Sequence, residues 1–160
     1  MNTLMGVAGG ADLRLVRGLR GYLAAVATAA GVGMESCTVD FGGTGAPMSA
    51  YIALDHRLPR FPDRDLALVW DERHGWALAV ETHSGEDLIV LTYLDNGDVL
   101  PEPAEVASFL AAARANDPAP GRPDPPGHRR PGDQDALTDR LDRYRLADPG
   151  RNGASSSSLW

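Results

Sequence analysis

The chain contains no lysine: all fifteen of its basic residues are arginine. With abundant alanine, glycine, proline and aspartate, this is the composition a very GC-rich coding sequence produces. It therefore weakens any argument that a given arginine was selected over lysine for its forked geometry. The missing lysine also excludes a phosphate-binding loop of the GxxxxGK[ST] type, which GGTGAP resembles only superficially. A single cysteine, Cys37, excludes an internal disulfide and every paired-thiol metal or redox motif, and a reducing cytoplasm is its natural setting. No arginine, histidine or helix start beside Cys37 predicts a low thiol pKa, so it is expected to be a small core hydrophobe. No run of ~18 apolar residues occurs, which predicts no transmembrane helix. The N-terminal MNTLMGVAGGADLRL lacks the charged and apolar regions of a signal peptide. GxSxG, HExxH and CxxC are absent, as is a GxGxxG that opens a helix after a strand, and Ser84 has no evident partner base. No cofactor is implied.

Positive charge is scarce where the apolar residues are dense. Residues 1–116 hold 15 acidic and 8 basic side chains, whereas 117–160 hold 7 of each, so the whole net charge of -7 lies in the first part. Between Glu35 and Glu105 there are 14 acids against Arg57, Arg60, Arg64 and Arg73. Such a surface repels phosphate backbones and anionic headgroups, so neither nucleic acid nor membrane is an expected partner of the main domain.

What remains is enough for one domain. Hydrophobic residues make up 43% of 160 and thin out after Asn116. From Asp12 to Ala30, Leu13, Leu15, Val16, Leu19, Tyr22, Leu23, Val26, Ala27 and Ala30 share one arc at helical spacing. Asp12 is the expected N-cap and Gly31 the C′ glycine. Five strand-like runs follow: Glu35–Phe41, Met48–Asp55, Asp65–Asp71, Trp76–Glu81 and Leu88–Leu94. The last, LIVLTYL, is apolar on both faces and is the best candidate for a central strand. Asp95-Asn96-Gly97-Asp98 is a hairpin signal leading to a brief Val99-Leu100 edge. A second helix is predicted from Pro103 to Ala115, with Val106, Phe109, Leu110 and Ala113 as its apolar stripe. The fold class is α+β: a two-layer domain with an antiparallel, meander-like five-stranded sheet flanked by an N-terminal and a C-terminal helix.

The organisation predicted is a flexible 1–11, a core domain at 12–116, a proline-rich linker at 117–133, a short amphipathic helix at 134–147 and a disordered 148–160. Leu137, Leu141 and Tyr144 fall at helical spacing on that last helix, which is too short to be stable alone. They are candidate contacts for a protein partner.

The run WDERHGW is the tip of a hairpin. In Leu66–Trp70 and Trp76–Val80 the even-numbered positions carry all the large side chains and predict the buried face; Ala67, Ala77 and Ala79 fall on the other. Gly75 supplies the left-handed residue of a three-residue loop, Arg73-His74-Gly75, and a shift of two residues would preserve the facing. Asp71, Glu72, Arg73 and His74 then crowd the tip, as turn chemistry and as candidate interaction residues. Catalysis would need them in a dry, concave site. A meander also brings the loops after the second and fourth strands to one end of the sheet. There His56, His83, Glu81 and Asp87, with Asp65, form a candidate metal set, although no HxH or HxxxH spacing supports it.

At SAYIALDHRLPRFPDRDLAL, WDERHGWALAVE and EDLIVLTYLDNGDVLPEPAEVASFL, the chain resembles an actinobacterial family catalogued as domain of unknown function 6292. The resemblance covers about Leu19 to Ala113. It implies a small cytoplasmic accessory protein and brings no assigned activity, cofactor or site residue. The function expected is a non-catalytic protein-interaction module, a variant being an acidic protein that neutralises a basic partner. The alternative is a small enzyme, or a metal- or ligand-binding domain, using the His56/His83 cluster.

Overall fold

The computed structural model describes residues 10–42, 46–82, 87–115, 121–127 and 134–145. The chain divides into two units, Met1–Tyr22 with Gln134–Trp160, and Leu23–Asp133. The division falls inside the first helix, α1 (Gly10–Ala30). That helix starts two residues before the expected cap, so Asp12 lies within it. It stops where glycine permits: Gly31 has φ +89°, its N–H donates to the Thr28 carbonyl, and the Val32 N–H reaches back to Ala27. This is the paired 5→2 and 6→1 closure of a Schellman motif. The expected stripe is buried at Leu15, Leu19, Tyr22, Leu23, Val26 and Ala27. Leu13 departs from it at 47% exposed, because it sits at the rim of the arc in the first turn.

In the larger unit, β1 (Cys37–Asp40), β2 (Ser49–Ala53), β3 (Leu66–Asp71), β4 (Gly75–Glu81) and β5 (Leu88–Tyr93) form one antiparallel sheet in the order β1-β2-β3-β4-β5. This is the expected meander. Trp70 pairs with Trp76, Leu68 with Leu78 and Leu66 with Val80, and all six are buried. The loop is Glu72-Arg73-His74, one residue earlier than Arg73-His74-Gly75, so Asp71 lies opposite Gly75; the pairing register shifts by two and the parity of the faces is kept. Gly75 has the left-handed φ of +74° that the turn needs. Helix α2 (Pro103–Arg114) buries Val106, Phe109, Leu110 and Ala113, and the Glu102 N–H donates to the Glu105 carboxylate at its start.

Two expectations fail here. LIVLTYL is not central. It forms the edge strand β5, and Leu88, Ile89 and Val90 are 39%, 45% and 39% exposed. Sheet position follows the hairpin connections, and β4, buried at every position except Glu81, holds the inside place instead. Val99-Leu100 is not a strand. The Asp98 N–H bonds the Asn96 side chain and the Leu100 N–H bonds the Asp98 side chain, so local turns take the donors a ladder would need. Val99 uses its carbonyl to accept the Trp70 indole N–H at 2.8 Å.

In the smaller unit, α3 (Gln134–Leu141) runs into a 3₁₀ turn at Asp142–Tyr144, ending three residues short of the expected 147. Arg14 bonds the Asp142 carboxylate and lies 3.5 Å from Asp139. The Tyr22 and Tyr144 rings meet edge to face at 4.9 Å. A Cβ on Gly18 would lie 2.7 Å from the Leu141 Cβ and 3.0 Å from its carbonyl oxygen, so the bare glycine is what lets α3 approach. Gly18→Ala sets two effects against each other: a gain in helix propensity of up to about 1 kcal/mol and a collision with Leu141. Because the collision is with backbone as well as side chain, the expected result is looser docking, read as faster tryptic cleavage at Arg140 and Arg143. An unchanged cleavage rate would show that Leu141 shifts freely.

Candidate functional site

The hairpin tip is built by Asp71. Its Oδ1 accepts the backbone N–H groups of Arg73 and His74 at 2.7 and 2.8 Å, and its Oδ2 lies 3.1 Å from His74 Nδ1. This is turn chemistry, as the sequence suggests. The four tip residues do not act as one exposed cluster, however. Glu72 turns inward and is only 2% exposed; its Oε2 accepts the Met48 N–H at 2.8 Å, and its own N–H donates to the Met48 carbonyl. Asp71, Arg73 and His74 are half-buried.

Beside the tip, the sheet face opposite the tryptophans forms a groove of about 330 Å³. Its origin is readable in the register. One row across all five strands is Thr38–Tyr51–Val69–Ala77–Tyr93, and the next is Asp40–Ser49–Asp71–Gly75. The β4 residue that lines the groove is Gly75, which has no side chain, opposite Asp71. The Tyr51 and Tyr93 rings, Val69, Leu88 and Val90 line it, with the Asp40 and Asp71 carboxylates toward one end. The His74 ring stands edge-on to Tyr93, 6.3 Å between centroids.

Both phenols are harder to ionise than usual. Burial is the largest cause in each case. Tyr51 adds a 2.5 Å hydrogen bond to Glu81 Oε2 and the charges of Glu81 and Asp65, which together push it up to about 12; Tyr93 is raised further by the charge of Asp71. At neutral pH both are hydrogen-bond donors. For Tyr51 the folded pKa lies above the unfolded value, so its contribution to stability is complete below about 10 and is lost as pH rises through about 12. Ultraviolet titration should therefore show one tyrosine ionising near 12, and Tyr51→Phe should abolish that step. A Tyr51 that ionises near 10 in the folded protein would sink this account.

The sheet end expected to gather metal ligands does bring several together. His56, Asp65 and Glu81 line one hollow of about 420 Å³ with Asp55 and Arg57. The carboxylates there are already engaged: Arg57 holds Asp65 at 2.9 Å and Tyr51 holds Glu81. Asp87 meets the start of this loop through its backbone carbonyl, which accepts the Thr82 N–H at 3.0 Å. His83 lies outside the described residues. Among the described residues, no three histidine, cysteine or acidic side chains could share a metal ion.

Of the remaining candidates, Leu137 and Leu141 sit inside the protein and Tyr144 and Cys37 are half-buried. Leu137 and Leu141 are 3% and 0% exposed, and the Tyr144 ring is held between Tyr22 and the Arg143 guanidinium. Cys37 is half-buried, and its thiol is pushed up by burial and by the charge of Glu35, the opposite of an activated nucleophile. No helix among the described residues is long and apolar enough to cross a membrane.

Comparison with known families places residues 22–112 on the Family of unknown function (DUF6292). The chain belongs to that family. No curated protein and no solved structure matches the chain. The family match begins at Tyr22, one residue before the larger unit, and takes in all five strands and most of α2. The groove thus lies wholly within the part of the chain that defines the DUF6292 family, and α3 lies outside it.

Proposed function

We propose that the protein is a non-catalytic interaction module, accessory or regulatory in role, that works in the cytoplasm and binds a protein partner across the outer face of its sheet. One observation carries this reading: a groove walled by Tyr51 and Tyr93 opens directly onto an apolar strand edge that is left 39–45% exposed. Aromatic rings beside uncovered aliphatic side chains are the usual composition of an interface core. The Asp71–His74 pair borders this surface, so the tip residues join it as its polar rim.

The test is capture from the native host with a genetically encoded tag, comparing wild type with Tyr93→Ala after both are shown to melt alike. A protein retained in near-equal amount by the wild type and lost by Tyr93→Ala is the expected outcome. Equal retention by both would remove the groove from the account. A small-ligand site at the sheet end is the second reading, favoured by His56, Asp65 and Glu81 sharing one hollow. It requires a metabolite that raises the melting temperature of wild type but not of His56→Ala.

A further inference from the structure

We propose that the open part of β5, Leu88–Leu91, takes an extended segment of a basic protein partner as a sixth strand of the sheet. This rests on the interaction reading above and gives it a binding mode and a partner chemistry.

The backbone carries the first half of the argument. On the β4 side of β5 the ladder is complete: the Thr82 N–H donates to the Asp87 carbonyl, the Leu94 N–H donates to Trp76, and Val80 pairs with Ile89. Antiparallel alternation then turns the N–H and C=O groups of Leu88 and Val90 away from β4. The same outward direction is used at Tyr93, whose N–H and C=O exchange hydrogen bonds of 2.7 and 2.9 Å with Arg122. That bridge is antiparallel, so the chain after Arg122 heads back along β5 toward Leu88. Among the described residues it forms no further bridge to β5, and Pro126, which would face the edge by the same alternation, has no N–H to give. The described part of the linker thus covers only the Tyr93 end of the edge. Among the described residues no strand pairs with the rest.

Side chains carry the second half. An exposed edge strand is ordinarily guarded by lysine, proline, an inward charge or a bulge. Leu88–Leu91 has no charge and no proline, and its bulge, opposite Leu78/Ala79, falls at Leu91, past the regularly paired Leu88–Val90. Leu88 and Val90 line the groove at its β5 margin, so every second side chain of an added strand would stand beside them on that face. The 14 acids against 4 arginines between Glu35 and Glu105 decide between occupants. A second copy would set one acidic sheet surface beside another, whereas a segment alternating apolar residues with arginine or lysine pairs with the aliphatic edge and is attracted by the acidic surface around it.

The probe is a pool of capped peptides about six residues long, roughly the reach of one strand, alternating Arg with Val, Ile, Leu, Phe or Tyr. It is applied to the full chain beside the same pool with Glu in place of Arg, and the Arg pool N-methylated on alternate residues. Wild type should retain the Arg pool, lose it as salt is raised, and bind the Glu and N-methylated pools at least about tenfold more weakly. Val90→Pro removes one outward donor and is tolerated at an edge; it should weaken binding of the Arg pool by a similar factor. If that variant fails to fold, the N-methylated pool asks the same question of the unaltered chain. Binding indifferent to both N-methylation and Val90→Pro overturns strand addition and leaves the interaction module standing. No retention of the Arg pool, retention equal to the Glu pool, or a wild-type dimer that Val90→Pro converts to monomer overturns the proposed occupant.

Discussion

Replacing Trp76 with alanine is expected to lower the unfolding free energy by about 3–5 kcal/mol. The ring is 0% exposed, lies directly opposite Trp70 in the β3–β4 ladder, and sits on the face that carries Leu68, Leu78, Leu66 and Val80. Removing it deletes the apolar area and leaves a cavity over the buried face of the sheet, which the strands, held by their ladder, cannot move to fill. A change of that size is a large fraction of the stability of an ordinary domain. Urea denaturation followed by circular dichroism measures it directly. A loss below about 1 kcal/mol would mean that the tryptophan face is not the core. Trp70→Phe is the paired control. It retains most of the apolar bulk but removes the indole N–H that the Val99 carbonyl accepts, so a loss of about 1–3 kcal/mol is expected from the orphaned carbonyl alone.

Glu72→Ala is the second large effect, expected at about 1–3 kcal/mol. Glu72 is the residue that the hairpin reading misplaces. It belongs to the tip by sequence, yet it is buried, with its carboxylate holding the Met48 N–H just before β2 begins. Alanine would leave that buried donor without its acceptor, and such a loss costs more than the hydrogen bond contributes when formed. Glu72→Gln retains a carbonyl oxygen of similar reach and should recover much of the difference. The comparison of Ala with Gln in urea is the informative one: equal losses would show that the contact to Met48 contributes little beyond side-chain volume.

The parity of β3 and β4 was legible because two alternating runs flank a glycine at hairpin spacing. A period of two survives any even shift, and the two-residue shift in pairing register left every facing unchanged. Helix ends were legible where a local motif fixes them, at Gly31 and at Pro103 with Glu105. The place of LIVLTYL was not legible. Two apolar faces measure what a strand would bury if it could, whereas its place in the sheet is set by which hairpins close. Val99-Leu100 misled for a related reason: Asn96 and Asp98 supply side-chain acceptors that satisfy a turn instead of opening a strand.

The groove could have been found from the same alternation. Ala67, Ala77 and Ala79 fall on the outer face, as the alternation implies, and Gly75, the residue that ends the turn, is the β4 position that opens onto the groove between Asp71 and Tyr93. The docking of α3 had no comparable signal. It depends on Gly18, one glycine among eighteen, being the point where Leu141 comes close.

The depression depends on very little. Its shape comes from a few side chains on neighbouring strands, and at Val69 a single-base change from a valine to an alanine codon would remove two methyl groups from its lining. Gly75 is less free to vary, since its positive φ penalises any side chain. The surface can therefore be reshaped in single mutational steps, while the tryptophan face behind it stays fixed. Relatives that share this core can be expected to differ in what they hold more readily than in how they fold.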